Sequence, residues 1–248
     1  MNLTTNDPAN PDGVVARPRL PAEVREAAFV VIPAYNEGTC IAEVAGKVRS
    51  AFPHVVVVDD GSDDDTFEQA RRGATYVLRH TINRGQGAAL QTGIDFALSR
   101  GADYIVTFDA DGQHRVDDIH AMVMPILQGE CEITLGSRFL GSAENLPASR
   151  RRTLRLAVWF TRFVNRVNLT DAHNGFRAFS RCAAAGIDIT LDRMAHASEL
   201  IDQIRESGLP FREVPVRIRY TEYSLRKGQS ARGAIRIVLQ YLLGRMLH

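Results

Sequence analysis

The sequence predicts an α/β fold in which a mostly parallel central sheet carries helices on both faces. Three observations lead there. From residue 28 onward, short apolar runs alternate with stretches whose apolar residues recur at helical spacing, the order that builds βαβ units. The runs are rich in β-branched residues and unbroken by polar ones, as strands buried on both faces are. The polar clusters fall at the ends of those runs, where open parallel sheets bind their ligands.

Phe29-Val30-Val31-Ile32 reads as the first strand, followed by Ile41, Val44, Ala45 and Val48 on one helical face. Val55-Val56-Val57-Val58 is the next buried run, and Asp65 to Arg72 a short helix with Asp65 and Glu68 at capping-box spacing. Tyr76-Val77-Leu78 is a short strand, and Leu90, Ile94, Ala97 and Leu98 mark the helix after it. Tyr104-Ile105-Val106-Thr107-Phe108, a helix from Val116 to Gln128 and the strand Ile133-Thr134-Leu135 continue the series. Farther on, Val214, Val216 and Ile218 alternate within Phe211 to Tyr220 as a strand requires.

A chain of 248 residues, 45% hydrophobic, can bury a core without a disulfide or metal staple. Residues 1–27, rich in Asn, Pro and Ala, read as a flexible tail, and residues 28–248 as a single domain ending in an amphipathic helix from Ala234. A net charge of +1 argues against a dedicated nucleic-acid binder. Cys40, Cys131 and Cys182 have neither disulfide-framework nor zinc spacing, so a cytoplasmic setting is expected. No apolar run is long enough to span a membrane. Arg150 to Arg166 holds six arginines and no acid, interleaved with Leu154, Trp159, Phe160 and Phe163. Such a segment suits either packing with a solvated basic face or a peripheral place on the inner face of a membrane.

The chemistry centres on Asp109-Ala110-Asp111-Gly112-Gln113-His114. Two carboxylates at i and i+2 just past a strand can turn toward one cation, and hard oxygen ligands imply Mg or Mn. A divalent ion there stabilises a departing diphosphate. Asn83-Arg84-Gly85-Gln86-Gly87-Ala88-Ala89 is a poor dinucleotide fingerprint, since Leu90 stands where the third Gly is needed. Gly85 and Gly87 instead bring backbone close to a ligand at a helix start, where amides favour anions, or simply form a left-handed turn.

Taken with Val31-Ile32-Pro33-Ala34-Tyr35-Asn36-Glu37, Val58-Asp59-Asp60-Gly61-Ser62, Gly136-Ser137-Arg138 and Asn174-Gly175-Phe176-Arg177, these motifs make the chain resemble glycosyltransferase family 2 of the GT-A fold. Within it, the polyprenyl-phosphate sugar synthases are the nearest branch. That resemblance implies a single nucleotide-sugar-binding domain and an inverting transfer of a hexose from a UDP- or GDP-sugar. It implies that Pro33, Tyr35, Glu37, Gly85, Gly87, Asp109 and Ala110 hold the donor, with Asp60 accepting from the imide N–H of the base. Asp109, Asp111 and Gln113 would bind metal, His114 would hydrogen-bond beside them, and Arg138 and Arg150 would take the acceptor phosphate. Asp111 and Arg138 are thereby the catalytic residues, joined by a base where one is needed.

A polyprenyl-phosphate acceptor is anionic already and needs no base. A sugar hydroxyl on a lipid-linked or cell-envelope glycan needs one, and Asp192, His196 and Glu199 share a helix face, with Glu199 the best candidate. The altered segment Tyr223 to Ser230, where the branch carries Gly-x-Ser-Lys, leaves the acceptor open. A sugar-1-phosphate nucleotidyltransferase would carry a Gly-rich basic loop where Tyr35-Asn36-Glu37 stands, and intact Asp109, Asp111 and Arg138 oppose a non-catalytic binding module.

Overall fold

In the computed structural model the described residues are 19–148, 151–155, 158, 167–171, 174–190 and 196–220. Their elements run α1 (Ala22–Glu26), β1 (Ala28–Ala34), α2 (Ile41–Arg49), β2 (His54–Asp59), α3 (Thr66–Gly73), β3 (Tyr76–Arg79), α4 (Gln86–Ser99), β4 (Tyr104–Thr107) and α5 (Asp118–Leu127). After β5 (Ile133–Glu144) come β6 (Arg177–Ser180), α6 (Arg181–Ala185), α7 (His196–Ser207) and β7 (Phe211–Arg219). The seven strands form one sheet in the order β3-β2-β1-β4-β6-β5-β7. β1 lies between β2 and β4, parallel to both, and all its residues are buried.

The alternation of side chains along β1 supplies two cores. Val30 and Ile32 pack with α2 and α5 through Val44, Val48, Ile119 and Val123. Phe29 and Val31 face the other way, onto Leu90 and Ile94 of α4 and Leu200 and Ile201 of α7. Each such Val or Ile, fully buried, stabilises the fold by roughly 1.5–3 kcal/mol relative to exposure, and helices therefore cover both faces of the sheet.

Three expectations need correction. Residues 19–27 are not part of a flexible tail: Leu20 is 3% exposed and its N–H donates to His120 Nδ1 at 3.1 Å, which docks α1 on the domain. Gly136-Ser137-Arg138 lies inside β5, whose twelve residues far outrun the three-residue strand expected. The capping box does not form; Asp64 Oδ1 accepts the Thr66 N–H at 2.9 Å, while Asp65 Oδ2 takes Gln69 Nε2 at 2.7 Å.

The antiparallel strand β6 sits between β4 and β5, pairing Val106 with Ala178 and Thr134 with Ala178 from its two sides. β7 pairs parallel with β5, and the register slips between Ser137 and Ser142. A bulge of this kind bends the strand and re-aims its side chains. Arg138 is only 8% exposed there while Leu140 is 50% exposed. Residues 151–155 are helical, but Arg150, most of the segment to Arg166 and the expected helix from Ala234 lie outside the described residues.

Candidate functional site

The first two strand-end loops are latched to each other. Asn36 adopts φ 54° after β1, and its N–H donates to Ser62 Oγ at 2.9 Å while its own Oδ1 accepts the Asp63 N–H at 3.0 Å. The left-handed conformation is one that Asn tolerates. The Glu37 N–H donates to Thr66 Oγ1 at 2.7 Å and the Gly38 N–H to Asp64 Oδ2 at 3.1 Å. Asp64 and Thr66 thus brace the turn that carries Tyr35 and Glu37. Tyr35 remains 41% exposed with its OH 3.4 Å from Asp63, and Cys40 Sγ bridges Glu37 to the Ala110 carbonyl at 3.3 Å.

Asp60, the residue expected to accept from a base imide, is engaged by the protein's own backbone. It is 2% exposed, with Oδ1 accepting the Arg84 N–H at 2.9 Å and Oδ2 the Gly85 N–H at 2.7 Å. His80 Nδ1 lies 2.7 Å from Oδ1, and the other ring nitrogen lies 3.0 Å from Thr92 Oγ1 on α4. Gly85, at φ 95°, therefore turns its amide inward to a carboxylate instead of outward to an anion. Asp60 fixes the loop that opens α4, with Gly87 buried in its first turn.

Asp109 and Asp111 follow β4 as expected. Burial works against the charge of Asp109, and His114, Arg177 and Arg138 together outweigh it, holding this carboxyl below its usual range. Burial and the charge of Asp109 push Asp111 the opposite way, above its usual range. His114 Nε2 bonds Asp109 Oδ2 at 2.9 Å, with its ring packed between Phe108 and Phe176. Gln113, expected as a further oxygen ligand, lies beside Asp111 and donates from its amide nitrogen to Asp111 Oδ2. Gly175 is held close to Asp109: a Cβ there would lie 2.3 Å from Oδ1.

Beneath this pair lies a buried cationic layer that sequence reasoning did not resolve. Arg138 is not an exposed phosphate clamp. Its Nε donates to Asp171 Oδ2 at 2.6 Å and its Nη1 to the Tyr220 hydroxyl. Asp171 also takes the Arg138 N–H at 3.1 Å. Burial opposes the charge on Arg138, but Asp171 and Tyr220 raise its pKa overall. Glu213 holds the segment bearing Asp171 by accepting the Thr170 N–H at 2.8 Å and the Asp171 N–H at 3.1 Å. Arg177 is 3% exposed with no hydrogen bond on Nη1 among the described residues; burial pushes it down to about 10, with Asp109 and Asp171 pulling upward. Asn174-Gly175-Phe176-Arg177 had marked this spot, but only the fold shows the link from Arg177 to Asp109.

The two carboxylates fit Mg or Mn. Such ions favour oxygen ligands and, for Mg, one or two carboxylates with substrate phosphates completing the sphere. Glu199, the expected base, is engaged elsewhere: its Oε1 accepts the Thr190 N–H at 3.0 Å and the Thr190 hydroxyl at 2.5 Å on an exposed surface. His196 is buried at the start of α7, and Asp192 lies outside the described residues.

A mostly parallel α/β domain with a carboxylate pair just past a central strand is the arrangement of a glycosyltransferase of the GT-A type. The chain belongs to glycosyl transferase family 2, whose profile matches residues 29–186. A protein of Methanocaldococcus jannaschii is 38% identical over 220 residues, covering 87% of this chain and 90% of its own. The UDP-N-acetylglucosamine–dolichyl-phosphate N-acetylglucosaminyltransferase of Methanococcus voltae is 31% identical, covering 88% of this chain and 96% of its own. The polyprenol monophosphomannose synthase of Mycolicibacterium smegmatis is 32% identical, with 83% and 82% covered. Among solved structures, glucosyl-3-phosphoglycerate synthase from Mycobacterium tuberculosis with Mn2+ and UDP-glucose shares the fold at TM-score 0.68 and 20% identity, covering 92% of this chain and 84% of that one.

Proposed function

We propose that this enzyme is an inverting, metal-dependent hexosyltransferase that moves a sugar from a UDP- or GDP-sugar to a polyprenyl phosphate at the cytoplasmic face of a membrane. The observation that carries the reading is the Asp109–Asp111 pair just past β4, one carboxyl held charged and the other held back by burial and by its neighbour. Such a pair is relieved by a divalent cation shared with a diphosphate. The relatives of M. voltae and M. smegmatis, named for dolichyl phosphate and polyprenol, support the acceptor class.

Asp109 and Asp111 would hold Mg or Mn, which supplies charge neutralisation to the departing diphosphate. His114 orients Asp109 through its Nε2 contact, and the Asp60-held loop shapes the donor side. Arg138 and Arg177 supply fixed positive charge behind the carboxylates, in a setting where charge is screened little. The acceptor phosphate attacks in line at the anomeric carbon through an oxygen that is already anionic. No proton has to be removed from it, in keeping with the engagement of Glu199 by Thr190. Peripheral membrane contact is part of the proposal, and no helix among the described residues is long and apolar enough to cross a membrane.

The test is a donor screen with UDP- and GDP-sugars, each with Mg and with Mn, scored by labelled sugar entering an organic-extractable polyprenyl-phosphate product. Transfer to a sugar hydroxyl with none to polyprenyl phosphate would refute the acceptor.

A further inference from the structure

At the end of α2 remote from the Glu37–Cys40 turn, a cavity of about 490 Å3 opens between α1, the last turn of α2 and the start of α5. Nine helical residues separate it from the donor loops, a span of roughly 13 Å. Arg19, Arg25, Lys47 and His120 line it, against the single carboxylate of Asp117. None of these residues belongs to the metal or donor loops.

Among the described residues Arg25 is paired with no acid, and Lys47 is paired only in the open. Arg25 makes only a long contact, Nη1 to the Ala51 carbonyl at 3.4 Å, and its Nε is buried with no hydrogen-bond partner among the described residues. A buried donor in that state costs free energy until something accepts from it. Lys47 pairs with Glu43 in the open, both side chains more than half exposed, an ion pair of little strength that a better anion displaces. His120 accepts the Leu20 N–H on Nδ1, which leaves Nε2 to carry the proton of the neutral ring as a further donor. Burial and then the charges of Arg19 and Arg25 depress His120, with Asp117 pulling the other way.

We infer that this cavity is an anion site, separate from the donor site, that takes a phosphate group. Guanidinium forks match phosphate geometry, and a concave site lined by Arg19, Arg25 and Lys47 against Asp117, with Glu43 held on Lys47, favours that charge. A lipid headgroup and a free phosphate share this chemistry.

The test follows the imidazole signals of His120 by NMR in the metal-free full-length protein, first with inorganic phosphate and then with vesicles. Phosphate should shift them saturably, and Arg25→Gln or Lys47→Gln should each weaken binding about tenfold, the worth of one charge-assisted contact. Lys47 is exposed, so its variant keeps the test valid should Arg25→Gln fail to fold. Phosphatidylglycerol vesicles that bind wild type, lose both variants and are displaced by phosphate identify the headgroup. Phosphate binding with no vesicle dependence on these residues identifies the free anion. A silent His120, or equal phosphate affinity in wild type and Lys47→Gln, overturns the inference.

Discussion

The carboxylate of Asp60 receives the backbone N–H of Gly85 at 2.7 Å, joining the end of β2 to the opening of α4 across 25 residues of sequence. With Arg84 N–H on the other oxygen and His80 beside it, one side chain sets the conformation of the whole loop that opens α4. A charged acceptor taking two backbone donors at once is a strong local restraint.

Asp60→Asn places an amide nitrogen against one of those two N–H groups. The expected outcome is a stability loss of about 1–3 kcal/mol, the cost of an unsatisfied buried donor. Donor KM should rise at least tenfold with a smaller change in kcat, because the loop, not the chemistry, is disturbed. His80→Ala should follow the same pattern more mildly. Thermal denaturation and donor titration check both, and an unchanged donor KM in folded Asp60→Asn would refute the loop-setting role.

For Asp111 the signs of the shifts give a pH dependence. Its folded pKa is raised, so its ionisation works against the metal-free fold, and that penalty builds as pH rises from the ordinary carboxylate range to the folded value. Asp109 is lowered and contributes the opposite way, its stabilisation lost as pH falls. Asp111→Asn should therefore raise the melting temperature of metal-free protein at neutral pH, while cutting transfer by roughly 100- to 1,000-fold, the range for loss of a charge-stabilising group. Mn should stabilise wild type at neutral pH and progressively less as pH falls toward the ordinary carboxylate range, a weakening that begins above that range because the Asp111 carboxyl is raised. Calorimetry across pH, with and without Mn, measures this. Full transfer in chelator by wild type would remove the metal from the mechanism.

Much of this was legible in sequence. The βαβ order, the strands read at Val55–Val58 and Tyr104–Phe108, each within a residue of its observed end, and the loops at the carboxyl ends of β1, β2 and β4 all follow from local apolar runs and their punctuation. What was hidden was the partner of each charged residue. Asp60 and Arg138 look alike as exposed polar signals because nothing local reveals that Gly85 or Asp171 will fold against them. β6 escaped notice because four residues opening on Arg177 carry too little alternation, and that strand depends on β4 and β5 already being in place.

Arg138 and Asp171 form a pair with side chains 7% and 1% exposed. Removing one member strands the other charge, so Arg138→Ala and Asp171→Ala should each cost about 3–5 kcal/mol. Arg138→Lys should recover little, because Nε and Nη1 reach Asp171 and Tyr220 along two directions that an ammonium cannot reproduce. Tyr220→Phe should cost only about 1 kcal/mol. Urea unfolding of the four variants checks the order, and a stable Arg138→Ala that fails only in acceptor use would restore Arg138 to a direct phosphate-binding role.

Glu199 separates the two acceptor chemistries. Its carboxylate holds the Thr190 N–H and hydroxyl on an exposed surface, where loss of a hydrogen bond costs about 1 kcal/mol or less. If the acceptor is a phosphate, Glu199→Gln should keep transfer within about twofold and flatten nothing in the pH–rate profile, since no base titrates. A hydroxyl acceptor relying on Glu199 would lose at least about 100-fold in kcat on the same change, with donor affinity intact. Parallel rates with polyprenyl phosphate and with a lipid-linked glycan decide between them. Folded Glu199→Gln that binds donor normally yet transfers nothing would return this residue to the role of base and the acceptor to a sugar.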